Sequence, residues 1–77
     1  MTRKPKVGDT YRHYKGKTYK IVAIGRHHET LEEWAVYEGQ YTSEEFGANP
    51  VWIRPISMFT EVIVREGKEM KRFELIL

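Results

Sequence analysis

The chain is predicted to be all-β: a small, strongly bent sheet or an SH3-like barrel of about five to six strands, with at most one short helical turn. Three observations lead there. Short stretches rich in Val, Ile, Thr and aromatic residues alternate apolar with polar, as half-buried strands do. Turn signals recur every ~8–12 residues. No amphipathic run exceeds a turn or two of helix. At 77 residues there is room for one core, and curling the sheet into a barrel is the simplest way to protect its edges.

Each element has a local cause. Thr10–Tyr14 and Thr18–Ile24 flank Lys15-Gly16-Lys17, where Gly16 suits a left-handed position, so residues 10–24 form a hairpin. An odd-length loop puts Tyr11, His13, Tyr19, Ile21 and Ala23 on one face and Arg12, Thr18 and Lys20 on the other. Residues 25–33 break the alternation and are expected as a loop. Trp34–Tyr37 is a third strand ending near Gly39, and residues 42–50, with Gly47 and Asn49-Pro50, are a loop. Val51–Arg54 is a strand stopped by Pro55, which starts a helical turn through Met58. Residues 60–65 alternate, Glu66-Gly67-Lys68 turns the chain, and Met70–Leu77 is the last strand with Phe73, Leu75 and Leu77 inward. Phe59, Phe73 and Met58 are expected in the core.

The net charge of +2 conceals a gradient. Residues 1–28 carry +7, residues 29–66 carry −6, and residues 67–77 carry +1. Arg3, Lys4 and Lys6 sit in a segment with no apolar periodicity, so residues 1–6 are expected as a basic flexible tail on a single domain of residues 7–77. That domain alone sums to −1, a weak electrostatic footprint for nucleic acid. The longest aliphatic run, Ile21–Ile24, is far below the ~20 residues that span a bilayer. The chain holds no cysteine, which excludes disulfides, thiol nucleophiles and thiolate zinc sites. A cytoplasmic monomer or homodimer is expected.

Two stretches carry binding chemistry. In Arg26-His27-His28-Glu29-Thr30, Arg26 suits a phosphate or carboxylate, and His27 donates or accepts near neutral pH. Polar side chains of this kind also tie down loop backbone. On the strand 51–54, Trp52 and Arg54 share one face and Val51 and Ile53 the other, and Tyr37 can join the Trp52 face across a sheet. An aromatic wall beside a guanidinium stacks a planar ligand or a partner's side chain. The expected function is therefore a binding module for a protein segment or a small anionic or planar ligand. Its site would be Arg26, His27, Glu29, Thr30, Tyr37, Trp52 and Arg54. The alternative is nucleic-acid binding through Arg12, Lys15, Lys17 and Lys20. His13, His27, His28 and Glu29 have poor spacing for a metal, because adjacent histidines point apart on extended backbone. No cofactor is expected. There is no Gly-x-Ser-x-Gly, no phosphate-binding glycine loop and no His-Glu-x-x-His, and the chain is short for a cavity of ~300 Å³, so no enzyme is expected.

Four blocks with Arg72-Phe73 complete the reading: Tyr11-Arg12-His13-Tyr14-Lys15-Gly16 with Tyr19, Arg26-His27-His28-Glu29-Thr30, Val36-Tyr37, and Trp52-Ile53-Arg54-Pro55 with Met58-Phe59. In this order they resemble the bacterial domain of unknown function 1653 family, over roughly residues 8–76. The chain departs from that pattern at His28, where Ser or Thr is common, and at Lys71, where Pro is frequent. Residues 42–49 correspond to a variable loop. The resemblance implies a compact domain and no established activity.

Overall fold

The structure, a computed structural model, describes residues 4–76. Its first hairpin forms in the register that one-sided burial selects. Strand β1 (Thr10–His13) pairs with β2 (Thr18–Arg26), Tyr11 opposite Tyr19 and Arg12 opposite Thr18. The His13 amide donates to the Lys17 carbonyl at 2.8 Å, leaving the odd loop Tyr14-Lys15-Gly16 with Gly16 at φ +107°.

One expectation for β2 is overturned. Strand β3 (Glu33–Gly39) places Tyr37 opposite Ile21 but Val36 opposite Ala23, so Val22 is an extra, bulged residue. The bulge turns Ala23 outward and Ile24 inward, opposite Ala35. It is the physical reason that Ile21 and Ile24, three residues apart, both reach the core. β2 and β3 also extend into the predicted loop, as far as the Arg26–Glu33 pair.

The 42–50 segment, expected as loop, holds a short hairpin of β4 (Thr42–Ser43) and β5 (Gly47–Ala48). The Ser43 hydroxyl shapes its turn by accepting the Glu45 and Phe46 amides at 3.2 and 3.1 Å. β6 (Val51–Pro55) then returns along β3, with Tyr37 opposite Trp52 and Ala35 opposite Arg54. Pro55 ends β6 and caps α1 (Ile56–Phe59), which starts one residue later than expected. β7 (Val62–Arg65) and β8 (Lys68–Lys71) form a separate hairpin, closed by Glu66 and Gly67, both at positive φ. The predicted last strand is thus two. The chain breaks at Arg72, whose amide donates to the Glu61 carbonyl and whose carbonyl accepts the Tyr14 amide, and β9 (Phe73–Ile76) pairs with β1.

The result is an open five-stranded antiparallel sheet, in the order β6-β3-β2-β1-β9, and not a closed barrel. After β6 the chain enters α1 where a barrel would need a strand joining β6 to β9. That turn covers the inner face instead. Phe59, fully buried, stacks on Phe73 at 4.1 Å and meets Tyr11 and Tyr37 edge-on at 5.0 and 5.2 Å. Ile21 and Ala35 complete the buried set. Met58, expected in the core, points out at 47% exposure, because a single helical turn can bury only one side.

Of the residues expected as a basic tail, 1–3 lie outside the described residues. Lys4 forms an ion pair with Glu33, Pro5 is buried, and the Gly8 amide donates to the Ile21 carbonyl at 2.9 Å.

Phe59→Ala should cost about 3–5 kcal/mol, as large aromatic truncations in cores do. That is comparable to the whole stability expected of a domain this small. In urea denaturation followed by circular dichroism, it should abolish the cooperative transition, whereas Val64→Ala at a 71% exposed position should stay within about 0.5 kcal/mol.

Candidate functional site

The alternation of β3 and β6 sends residues to two faces, and the predicted site divides between them. Tyr37, Trp52 and Arg54 lie on the inner face. Trp34, Val36 and Ile53 lie on the outer face, where the 26–33 loop folds against them.

On the outer face an open groove of about 400 Å³ is lined by Gly25, Arg26, His27, Trp34, Val36 and Ile53. It exceeds the ~300 Å³ that the chain length was expected to preclude. The His27 ring leans on Trp34 at 5.9 Å between centroids, and Ile53 stays 64% exposed. The loop is built around His27. Its Nδ1 accepts the amides of Glu29 and Thr30 at 3.2 and 3.3 Å, so the neutral ring carries its proton on Nε2. The Thr30 hydroxyl accepts the Glu32 amide, and Arg26 donates to the Leu31 carbonyl at 2.6 Å, which fixes Leu31 at φ +64°. Glu29 and Thr30 thus act in loop geometry, and Arg26 and His27 reach the groove. Arg26 also lies 3.9 Å from Glu33, but Lys4 holds that carboxylate more closely. This ion pair first, with Arg26 adding to it, keeps the Glu33 carboxyl below its ordinary pKa.

The inner face carries a different set. The Arg54 Nε–H donates to the Tyr37 hydroxyl at 3.3 Å, and the guanidinium sits 5.8 Å from the Phe73 ring centroid. Tyr37 itself is core, 4% exposed. His13 packs edge-on against the same Phe73 ring at 4.9 Å, and its Nδ1 accepts the Lys15 amide. Burial first, then the charges of Arg54, Arg72 and Lys15, hold the His13 pKa below its ordinary value. Tyr19 meets Tyr41 hydroxyl to hydroxyl at 3.2 Å, and burial together with that bond pushes its pKa up. Trp52 packs on the core and touches Phe46 edge-on at 5.3 Å.

The four bases named for nucleic acid are dispersed. Arg12 stands opposite Glu74 and Lys20 opposite Glu38 in the strand register. Lys17 covers the Tyr41 ring at 4.3 Å, and Lys15 lies near Tyr14. Among the described residues no three His, Asp or Glu gather as metal ligands, and no helix is long and apolar enough to cross a membrane. Sequence reasoning gave no role to Trp34, Val36 or Ile53. An available signal was Ile53 itself, an apolar outward residue on a strand next to a proline stop.

These features define a class: a small open β-sheet domain with an open groove on one face and arginines among aromatic rings on the other. The chain belongs to the family described as Protein of unknown function (DUF1653), whose pattern matches residues 9–75. It is also similar to a crystal structure of a DUF1653 protein from Bordetella bronchiseptica. The two are 28% identical with a TM-score of 0.76, over 94% of this chain and 87% of that one. No curated protein matches the chain.

A pH dependence follows from His13. Its folded pKa is lowered, so the unfolded chain binds the proton first as pH falls below about 6.5. The stability this group contributes is complete above that pH and declines towards the lower folded pKa. Glu33, with its lowered pKa, acts only below about 4.5. Urea midpoints should therefore drop between pH 7.5 and 5.5, and His13→Gln should flatten that drop.

Proposed function

We propose that this DUF1653 domain is a binding module that takes a small planar anion in the outer groove. The groove itself carries the reading. Its volume of about 400 Å³ lies within the ~300–1,000 Å³ usual for small-molecule sites. Val36 and Ile53 supply an apolar floor, and Trp34 with His27 an aromatic wall. The lining holds Arg26 but no Asp or Glu. A flat apolar ligand gains burial on that floor, and a carboxylate on its edge meets Arg26 and the Nε2–H of His27. The loop is already fixed by the bonds to His27 Nδ1, so little ordering cost attends binding.

Titration of ¹⁵N-labelled protein with 2-naphthoate should shift the amides of Gly25, Val36 and Ile53 and the indole N–H of Trp34, leaving the Trp52 indole unmoved. The cationic analogue 2-naphthylmethylammonium should produce no such pattern. Ile53→Glu, on an exposed edge position, should keep the fold and weaken naphthoate at least tenfold. Equal responses to both probes, or none to either, would refute the reading.

A further inference from the structure

Trp52, Arg54 and the Arg72-Phe73 pair lie outside the groove, and the fold gathers the arginines around Phe73. Arg54 and His13 both lie against the Phe73 ring, one from β6 and the other from β1. Arg72 immediately precedes Phe73 in the chain, and it and Arg54 are each close enough to His13 to repel its proton. Arg54 carries five N–H donors, of which Nε–H meets the Tyr37 hydroxyl. Among the described residues its guanidinium has no carboxylate partner. The Arg72 Nε–H is buried and unbonded, and only the other end of that guanidinium reaches an acid, Glu61 at 3.4 Å. With its Nδ1 taken by the Lys15 amide, His13 keeps Nε2 as its donor. Donors thus come from β6, β1 and the break at Arg72 with a single carboxylate among them, an expensive arrangement for a half-buried site unless an anion completes it.

The geometry points to a second, independent binding site in which Arg54, Arg72 and His13 hold the phosphoryl group of a phosphomonoester. A carboxylate is satisfied by one guanidinium fork, whereas donors approaching from separate segments suit a tetrahedral group with three free oxygens. Two guanidinium charges against one carboxylate leave a net positive charge, which attracts a dianion more strongly than a monoanion. The aromatic residues Tyr37 and Phe73 exclude water from one side of the Arg54 guanidinium and hold it in place without neutralising it.

The test is a titration of labelled protein with inorganic phosphate near pH 7 at constant ionic strength. The expected result is saturable movement of the Arg54 and Arg72 Nε–H signals and the His13 ring signals, with the Trp34 indole still. Methyl phosphate should bind as well as phosphate, and dimethyl phosphate, a monoanion that mimics the nucleic-acid backbone, at least tenfold more weakly. Arg54→Gln should lower phosphate affinity tenfold or more with a folded amide spectrum. If that variant does not fold, Arg72→Lys, which keeps the charge and removes the Nε–H, should show the same loss. Absence of saturable shifts in the wild-type protein, identical shifts with chloride, or equal affinity for dimethyl phosphate would overturn the assignment. Because the naphthoate groove is on the opposite face, its failure and the failure of this site are separately visible.

Discussion

The domain depends on one side chain filling one face. A five-stranded open sheet this small has nothing to pack against unless the chain supplies a cover, and the cover is a single helical turn. Phe59 delivers it, stacked on Phe73 and bordered edge-on by Tyr11 and Tyr37. These rings come from α1, β9, β1 and β3, so one contact set joins the ends of the chain to its middle. Aromatic rings suit the task because each buries a large area and its edges find favourable partners. The same rings have polar ends, and those ends decide where chemistry can occur. Tyr37 closes the core with its ring and holds Arg54 with its hydroxyl. A packing residue is thereby also a positioning residue.

With the inner face used for folding, the outer face is released for other work. Val36 and Ile53 stand opposite one another on it, and no element of the described chain covers Ile53, which stays 64% exposed. Exposed apolar residues at an edge strand are ordinarily a liability. Here the 26–33 loop folds back to make a wall beside them, and the His27 imidazole serves as its internal scaffold. The division between faces explains why seven residues that seemed one site in sequence are not contiguous in space. Strand periodicity puts Trp52 and Arg54 on the side opposite Ile53, and no loop conformation brings them round to Arg26 and His27.

Much of the fold was legible because burial selects register. The alternation of residues 10–21 and the glycine at position 16 were enough for the first hairpin, and Tyr37 was correctly expected to share a face with Trp52. What was illegible had a common origin in irregular backbone. Val22 looks like any strand residue, yet its bulge inverts the face assignments after it in β2. The three-residue spacing of Ile21 and Ile24 was the visible trace, and a period-two reading misses it. Arg72 likewise interrupts no hydrophobic pattern. Its break arises from hydrogen bonds to Glu61 and Tyr14, partners 11 residues and more away along the chain. Non-local backbone bonds leave no local signature.

The arginines at the inner end show why charge counting along a sequence is a poor guide to electrostatics. The +7 N-terminal stretch is partly offset in space, since Arg12 and Lys20 face glutamates across the strands and Lys4 is bound to Glu33. The −6 middle stretch, by contrast, contributes Arg54, which the fold carries away from its acidic neighbours to meet Arg72 and His13. The lowered His13 pKa is owed first to burial and only then to these positive neighbours, and the direction is informative. A histidine placed for a structural ion pair would be raised by a nearby carboxylate, whereas this one is suppressed by burial and by positive neighbours. Folding alone has no use for a half-buried group of like charges, and such a group raises the energy of the empty domain. Occupation by an anion removes that penalty, so the same repulsion that costs stability in the free domain becomes affinity for whatever neutralises it.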